Sequence, residues 1–273
     1  MPELPEAETI ARELNRRLAR RRLGRVDLLR SDIVHGDPRP LDRLLPGRRV
    51  MRVHRQAKRV VLDLQPATQL VFHLGMSGRL HLCGVAEPVE KHTHLRIRIA
   101  GTRHELRFRD PRRFGGVWCL TGSDRHKGKR LGEVGLEPLE TTPAVFRRIL
   151  SRQRQIKALL LDQRAIAGLG NIYSDESLHA AHIHPLAKAG DLDRATADRL
   201  LRAIKTTLRK AIRFGGSTFM DYRRADGAEG SFQRYHRVYN REGKPCRKCG
   251  TAIVRIRAAG RSTFLCPKCQ PVA

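Results

Sequence analysis

The sequence predicts an α+β protein: an N-terminal β-sandwich with a flanking helix, then a helical domain that ends in a small β-hairpin. Apolar residues recur at helical spacing over residues 3–20, and then alternate with polar residues in several segments of residues 60–109. Helical spacing returns over residues 143–214, and two Cys-x-x-Cys pairs bracket residues 246–269. Strands grouped before helices are typical of α+β proteins or of separate domains.

The N-terminal helix is predicted from an apolar stripe, and Pro5 is compatible with its first turn. The stripe consists of Ala7, Ile10, Ala11, Leu14 and Leu18. The strands are predicted from period-two alternation between Gly and Pro turns, which favours a β-sandwich. The alternating residues are Val60, Leu62 and Leu64; Leu70, Phe72 and Leu74; Leu95, Ile97 and Ile99; and Leu106 and Phe108.

Four helices are predicted in the C-terminal half because four segments each carry one apolar face. They lie near residues 144–151, 154–162, 171–182 and 193–213. Thr142 followed by Pro143 is typical of a helix start. A glycine turn at residues 168–170 precedes the third helix, which indicates a helix-turn-helix arrangement.

The strongest compositional signal is charge: 55 basic residues stand against 27 acidic ones, for a net charge of +28. Such an excess favours a polyanionic partner. Nucleic acid is the usual one, and an acidic membrane surface is the alternative. No apolar run reaches the ~18 residues of a membrane span. The N-terminus lacks the basic start and apolar stretch of a signal peptide, so we expect a cytoplasmic protein outside the membrane.

Four of the six cysteines predict a metal site. Cys246 and Cys249 form one Cys-x-x-Cys pair, Cys266 and Cys269 form the other, and sixteen residues separate the pairs. This spacing is typical of one structural zinc ion bound by four thiolates, which leave no coordination position for a substrate. A redox dithiol is the alternative. A hairpin this small buries little apolar surface, so zinc would supply much of its folding free energy.

Three further residues are interpreted from their surroundings. Cys83 and Cys119 lie in apolar, strand-like segments and are predicted to be buried small hydrophobic residues. Arg261 lies at the turn of the cysteine-bracketed hairpin. It is either a phosphate or groove contact or a solvated surface residue.

Five motifs then occur in one order along the chain. They are residues 1–6 (MPELPE), 73–78 (HLGMSG), 110–115 (DPRRFG), 167–173 (AGLGNIY) and 260–264 (GRSTF). In this combination the chain resembles, from residue 2 to residue 269, the bacterial formamidopyrimidine-DNA glycosylases, which are 8-oxoguanine glycosylases with AP lyase activity. The resemblance implies a β-sandwich, a helix–two-turn–helix domain and a zinc finger, with damaged double-stranded DNA in the cleft between two lobes.

Periodicity and resemblance together predict the domain boundaries. We expect a catalytic β-sandwich over residues 1–130, a Gly- and Pro-rich linker over 131–142, the helix–two-turn–helix domain over 143–215, a lesion loop and connection over 216–240, and the four-cysteine finger over 241–273. In the family the loop at 218–232 holds the oxidised base, but the sequence assigns no contact there. We expect a monomer in the bacterial cytosol, with no nucleotide cofactor.

Pro2 is the expected nucleophile. Removal of Met1 would expose its secondary amine, whose pKa near ~8 leaves a neutral fraction at physiological pH. Attack on the sugar C1′ would displace the base and leave an iminium ion, which has no proton on nitrogen and draws electrons from C2′. Without the resemblance, the simpler interpretation is that Pro2 and Pro5 only open a helix.

Glu3 and Glu6 are the expected catalytic carboxyl groups. The family residue that matches Glu3 protonates the opening sugar oxygen and later moves protons during elimination. Glu6 lies one turn further along the helix and matches another family carboxylate, with a secondary or structural role. Favourable negative charge at a helix N-terminus is the alternative for both residues.

Met76, Arg112 and Phe114 match the residues with which the family fills the void left by a flipped nucleotide. Flipping costs about a few kcal/mol of unstacking. A Phe can wedge between bases, a Met packs adaptably, and an Arg can hydrogen-bond the orphaned cytosine, which favours lesions paired with cytosine. On spacing alone, a core Met and Phe and a turn Arg are the simpler interpretation.

Lys58, His73, Asn171 and Arg261 match the positions with which the family grips phosphates near the flipped nucleotide. We place Lys58 and Arg261 among the expected catalytic residues as well. Asn171 follows a glycine turn at a helix start, where backbone N–H groups favour phosphate without any resemblance.

The resemblance therefore predicts a bifunctional glycosylase and AP lyase that excises oxidised purines by a Pro2 Schiff base and β,δ-elimination. One alternative is an endonuclease VIII-like enzyme for oxidised pyrimidines, although such enzymes usually begin Pro-Glu-Gly-Pro. Another is a non-catalytic, zinc-containing DNA-binding protein, and a third is a ribosomal or RNA-binding role.

Overall fold

A computed structural model of the protein describes residues 2–35, 41–122, 134–219 and 222–272. The chain divides into two compact units. The first unit comprises Met1–Gly132 and Phe214–Ser231, and the second comprises Glu133–Arg213 and Phe232–Ala273. No helix among the described residues combines the length and the apolar character that crossing a membrane requires.

The first unit contains two four-stranded antiparallel sheets and an N-terminal helix. The elements, in chain order, are α1 (Leu4–Leu18), β1 (Leu23–Leu28), α2 (Leu41–Leu44), β2 (Arg49–Gln56), β3 (Arg59–Gln65), β4 (Thr68–His73), β5 (Arg79–Gly84), β6 (Thr93–Ile99), β7 (His104–Arg109) and β8 (Gly116–Thr121). The strand orders in the two sheets are β2-β3-β4-β8 and β1-β6-β7-β5.

The core of the first unit lies between the sheets. The Phe72 ring of β4 and the Phe108 ring of β7 have centroids 5.7 Å apart, so the sheets face each other through their predicted apolar positions. The apolar stripe of α1, including Ile10 and Leu14, packs into the same cluster. Cys83 is buried, and burial raises the pKa of its thiol to about 11. The predicted β-sandwich with a flanking helix is confirmed.

The second unit contains the helices and the C-terminal hairpin. Thr142 caps the first helix, where its Oγ1 accepts a hydrogen bond from the N–H of Val145, and Gly168 adopts a φ of +84° in the turn before the third helix. The elements are α3 (Pro143–Leu150), α4 (Ile156–Leu161), α5 (Asn171–Ala180), α6 (Arg194–Arg213), β9 (Val254–Ala258) and β10 (Arg261–Leu265).

The units divide the chain differently from the boundaries expected at 131–142 and 216–240. Residues 123–133 lie outside the described part of the chain. Beyond them, the N–H of Leu136 bonds to the carbonyl of Ala165, so the second part of the expected linker is built into the second unit. Residues 214–231 belong to the first unit, because carboxylates of α1 hold them there.

Candidate active site and metal centre

Pro2 and Glu3 are buried immediately before α1. The backbone N–H of Glu3, the residue that caps α1, donates to Glu6 Oε2 at 2.8 Å. Pro5 occupies the first turn, where its missing N–H removes no helical hydrogen bond. The buried carboxyl group of Glu3 therefore follows Pro2 directly in the chain. The hydrogen bond from Glu6 fixes the backbone at Glu3, where the helix begins.

The Glu6 carboxylate also holds residues 214–231. Its Oε1 accepts a hydrogen bond of 2.8 Å from the N–H of Ser217, and the side chain is 1% exposed. A Cβ on Gly216 would lie 2.7 Å from the same oxygen, and this residue has a φ of +80°. Only glycine fits this approach without displacing the carboxylate.

A second carboxylate on α1 repeats this contact two turns later. Glu13 accepts hydrogen bonds from Arg224 Nε at 2.6 Å and from the N–H of Ala225 at 2.9 Å. Residues seven apart lie on the same face of a helix, so Glu6 and Glu13 together hold residues 214–231, which include most of the loop expected to hold the base, at Ser217 and at residues 224–225. The described part of that segment is residues 214–219 and 222–231.

Asp110 joins the two loops that carry Met76, Arg112 and Phe114. Its carboxylate is fully buried and accepts hydrogen bonds from Ser77 Oγ at 2.6 Å and from the N–H of Gly115 at 2.7 Å. A Cβ on Gly75 would lie 2.4 Å from the nitrogen of Gly115, so the two loops touch backbone to backbone.

The three expected void-filling side chains project into solvent from these adjoining loops. Met76 is 42% exposed and Phe114 is 55% exposed. The exposed Arg112 guanidinium carbon lies 4.8 Å from the centre of the Phe114 ring. A core position for Met76 and Phe114 is thereby ruled out, and the structure groups all three residues at one place in the first unit.

Lys58 and His73 lie at one end of the β2-β3-β4-β8 sheet. Lys58 is in the turn between β2 and β3, and its successor Arg59 pairs with His73 across β3 and β4. Burial, with the charges of Arg59 and Lys58, lowers the pKa of His73 to about 4. His73 is therefore neutral at pH 7 and offers a hydrogen bond rather than a charge.

Asn171 and Arg261 are brought together in the second unit. Asn171 begins α5, and its Nδ2 donates to the carbonyl of Ser262 at 2.8 Å. The neighbouring Arg261 is exposed at the first position of β10, after a turn in which Ala259 and Gly260 both have positive φ. An amide at a helix N-terminus and a guanidinium at a hairpin tip can thus contact one anion.

A buried ion pair fixes β10 on α5. Lys157 Nζ lies 2.5 Å from Asp175 Oδ1 and donates to Thr263 Oγ1 at 2.7 Å, and both charged side chains are fully buried. The other oxygen of Asp175 accepts a hydrogen bond from the N–H of Phe264 at 3.0 Å. The strand that begins with Arg261 is therefore held by charged groups that water does not screen.

The four cysteines are positioned for one metal ion. The sulfur atoms of Cys246, Cys249, Cys266 and Cys269 all lie within 4.8 Å of one another. A tetrahedral zinc site with Zn–S bonds of about 2.3 Å needs sulfur separations of ~3.8 Å, so little movement is required. Four thiolates complete the shell, which suits a structural ion.

Two histidines at the end of α5 reach this cysteine cluster. His179 is 1% exposed, and its Nε2 lies 3.6 Å from Cys246 Sγ, a hydrogen-bond distance to sulfur. His182 follows the helix, and its Nδ1 lies 3.0 Å from the carbonyl oxygen of Cys269. The helix α5 therefore contacts the finger at Ser262, Phe264 and Cys246, and His182 just beyond the helix contacts Cys269.

Sequence reasoning missed several of these residues. Each is an ionisable helical side chain that the structure buries, and the clearest local signal is that of Lys157, which lies in the apolar segment 156–161. They are Glu13, Lys157, Asp175 and His179. Buried ionisable groups need partners, so each of them predicts a contact, although the sequence does not identify the partner.

Comparison with known proteins gives three consecutive matches to family models. Residues 1–117 match the formamidopyrimidine-DNA glycosylase N-terminal domain, residues 134–223 match the corresponding H2TH domain, and residues 243–272 match a zinc finger found in FPG and IleRS. The last match and the sulfur geometry together confirm the predicted structural zinc.

Individual relatives are similar in sequence and structure over the whole chain. The formamidopyrimidine-DNA glycosylase of Desulforamulus reducens is 41% identical, with 99% of each chain covered. The Lactococcus lactis FPG bound to DNA containing an abasic site superposes with a TM-score of 0.92 at 33% identity. The same enzyme bound to DNA containing Fapy-dG gives a TM-score of 0.90 at 32% identity, and both comparisons cover 99% of this chain and 100% of the other.

The fold, the order of the domains and the identity over the full length lead to one conclusion. This chain belongs to the formamidopyrimidine-DNA glycosylase family.

Proposed function

We propose that this protein is a bifunctional DNA glycosylase and AP lyase of base excision repair, which removes oxidised purines through the amine of Pro2. Family membership supports the glycosylase activity. Solved complexes of a relative with DNA that contains Fapy-dG or an abasic site support a damaged-duplex substrate. The observation that carries the mechanism is the buried Glu3 carboxyl group next to Pro2, at the start of a helix fixed by Glu6.

In the first step the Pro2 nitrogen, freed by removal of Met1, forms a bond to C1′ while the bond from C1′ to the base breaks. The base leaves with the proton that the Pro2 nitrogen gives up. Glu3 then protonates the sugar ring oxygen as the ring opens, and the nitrogen lone pair forms the iminium double bond to C1′. Because this nitrogen carries no hydrogen, the iminium ion cannot lose its positive charge by deprotonation at nitrogen.

The iminium ion makes strand cleavage possible because it acidifies the hydrogen on C2′. The Glu3 carboxylate accepts that proton, the electrons form a C1′–C2′ enamine and then a double bond to C3′, and the 3′ phosphate leaves. A second proton loss at C4′ expels the 5′ phosphate. Hydrolysis of the remaining imine returns the free amine of Pro2.

We further propose that both units bind the DNA backbone. Lys58 and neutral His73 would contact phosphates from the first unit, and Asn171 and Arg261 from the second. Lys58 and Arg261 would also serve catalysis by holding the phosphates that flank the reacting sugar in place. The contact between Asn171 and Ser262, next to Arg261, supports a shared phosphate for the second pair.

Met76, Arg112 and Phe114 would fill the void left by the extruded nucleotide. Their exposure and the proximity of Arg112 to the Phe114 ring support this role, since a wedge must be free to enter the duplex. An arginine that meets the orphaned base with two donors favours cytosine as the partner of the lesion. This favours purine lesions over the pyrimidines of an endonuclease VIII-like enzyme.

The remaining features of the proposal concern the state of the enzyme. We expect a monomer in the bacterial cytosol, with one structural zinc ion and no nucleotide cofactor. Residues 1–130 would supply the catalytic groups, 143–215 and 241–273 would bind the duplex, and 216–240 would meet the base. The bonds from Glu6 and Glu13 to the described part of that loop support its attachment to the catalytic unit.

Borohydride trapping on a duplex with one 8-oxoguanine opposite cytosine tests the proposal. Reduction of the iminium ion should give a covalent protein–DNA adduct, and Pro2→Gly should lose the adduct and base release while it keeps DNA binding. A wild-type protein that binds the duplex without forming an adduct would instead be a non-catalytic DNA-binding protein. Full base release by Pro2→Gly would refute the nucleophile.

A further inference from the structure

A cavity of about 320 Å³ lies in the second unit, between α6 and the chain near residue 235. Four cationic side chains line it: Arg199, Arg202 and Lys210 from α6, and Arg237. We call this feature the cationic cavity. None of the residues named individually above for catalysis, DNA contact or zinc binding belongs to its lining.

These four cations have no carboxylate partner within ion-pair distance among the described residues. The one acidic residue of the lining, Glu176, is 3% exposed and accepts hydrogen bonds of 2.9–3.0 Å from the N–H groups of Arg237, Val238 and Tyr239. Because its oxygens are occupied by backbone donors, Glu176 leaves the guanidinium groups around the cavity available to an outside anion.

Two of the cations are held in place. Arg199 Nε donates to the carbonyl of Ala181 at 2.9 Å, and its Nη2 donates to Thr196 Oγ1 at 3.1 Å. Lys210 Nζ lies 4.4 Å from the centre of the Tyr235 ring. Like charges that are fixed near one another repel, and a bound anion would relieve that repulsion at little further loss of side-chain entropy.

We propose that the cationic cavity is a second anion site of this protein and that it binds a phosphate group. Three guanidinium groups and an ammonium group offer more donors than a carboxylate can accept. Thr206 and Thr207 add two hydroxyl groups to the same lining. A tetrahedral oxyanion with three or four acceptor oxygens satisfies such a set, and guanidinium groups bind phosphate with paired hydrogen bonds.

The phosphate has two possible sources, a free phosphate compound or the backbone of DNA outside the lesion. The lysine ammonium already covers the Tyr235 ring, and this ring contacts Phe232 at a centroid distance of 6.3 Å. The aromatic faces are therefore occupied, so recognition rests on the phosphate rather than on a stacked base.

The test compares the Arg202→Ala/Arg237→Ala double variant with Arg209→Ala in the full-length, zinc-loaded protein. Arg202 and Arg237 are exposed, and no described residue hydrogen-bonds to either side chain, so the fold should persist. Arg209 is also exposed on α6 but does not line the cavity. It therefore controls for the loss of one positive charge.

The probes are inorganic pyrophosphate, titrated at constant ionic strength, and undamaged duplex DNA, titrated over a range of salt concentrations. We expect the double variant to weaken pyrophosphate binding at least tenfold, and the Arg209 variant less than twofold. An unchanged salt slope for DNA would then identify a free phosphate compound as the ligand. A slope smaller by about 0.9 for each lost contact would identify the DNA backbone.

Pyrophosphate binding by the double variant within twofold of the wild type would overturn the proposal, whatever the DNA titration gives. Absence of pyrophosphate binding by the wild-type protein would do the same. Because Pro2 and Glu3 are intact in all variants, base excision at a lesion reports separately on the proposed glycosylase function.

Discussion

Glu6 Oε1 accepts a hydrogen bond of 2.8 Å from the N–H of Ser217, a residue 211 positions later in the chain. The other carboxylate oxygen of Glu6 holds the N–H of Glu3. One buried side chain therefore connects the residues next to the expected nucleophile with the segment expected to meet the damaged base. A change in the position of Ser217 should therefore alter the position of the Glu3 backbone.

Gly216→Ala should impair base excision through Glu6. The new Cβ would meet Glu6 Oε1 at 2.7 Å, so the carboxylate must move and loosen the backbone at Glu3. We expect a stability loss of about 1–3 kcal/mol and a slower single-turnover release of 8-oxoguanine. Gly227→Ala is the matched control, because its φ of +86° gives similar backbone strain in open space. Equal losses in both variants would show that the Glu6 contact is irrelevant.

Arg112→Ala should relax the preference for the base opposite the lesion. A bidentate contact to one base contributes about 1–3 kcal/mol of discrimination, which is at least fivefold in relative rate. Excision should be compared on duplexes with cytosine, thymine or adenine opposite 8-oxoguanine. Arg113→Ala is the control, since Arg113 pairs with Asp32 at 2.9 Å. A preserved cytosine preference in Arg112→Ala would assign base reading to another residue.

Arg261→Ala should weaken DNA binding and reduce the salt slope by about 0.9, the contribution of one phosphate contact. The exposed tip position of Arg261 makes a folding defect unexpected. Binding isotherms over a salt series give the slope directly. Arg255→Ala on the neighbouring strand, where Arg255 pairs with Glu242 at 3.1 Å, should leave the slope unchanged. The same slope in both variants would remove Arg261 from the contacts.

His179→Phe should speed the loss of zinc to a chelator. The neutral imidazole can donate from Nε2 to the Cys246 thiolate, and removal of such an outer hydrogen bond weakens metal binding ~10-fold. Zinc release measured with a chromogenic chelator is the readout. His179→Gln keeps an N–H donor, so its rate of zinc release should lie between those of the phenylalanine variant and the wild type. Identical release rates in all three proteins would contradict the contact.

Acid should destabilise the first unit partly through His73. Its pKa is about 4 when folded and 6.5 in the ordinary unfolded state, so the unfolded chain binds the proton more readily. The stabilising contribution is complete above pH 6.5 and is lost as the pH falls to 4 and below, by about 3 kcal/mol for the full shift. Urea unfolding followed by the fluorescence of Trp118, in β8 of the same unit, measures this. The free energy of unfolding of His73→Gln should decline less steeply with falling pH. An equally steep decline would show that His73 does not contribute to the acid sensitivity.

Local patterns were enough to predict most of the fold. The stripe of α1 and the alternation in β3, β4, β6 and β7 reflect the apolar face of each element that packs into the core, which a single sequence displays. The zinc site was also predictable from local sequence, since the spacing of two Cys-x-x-Cys pairs is typical of a four-cysteine zinc site. Even the start of α3 at Pro143 followed from Thr142 immediately before it.

Contacts between distant segments were not predictable in this way. Glu13 is buried on α1, but its partners Arg224 and Ala225 are more than 200 positions away. Lys157 meets Thr263 across 106 positions. Such pairings depend on the packing of whole elements, and the pattern of one helix says only that a partner must exist. The assignment of 216–240 to a separate connection differed from the structure for the same reason.

The contacts along α5 fix the distance between the tip of the zinc finger and its cysteines. Asn171 and His179 are eight residues apart, which is ~12 Å at 1.5 Å per residue, and they touch the hairpin at Ser262 and at Cys246. A residue inserted within β10 would shift the tip past Asn171 while the cysteines stayed beside His179. Lineages that diverge from this chain should therefore keep the length of that strand fixed, even where its sequence drifts.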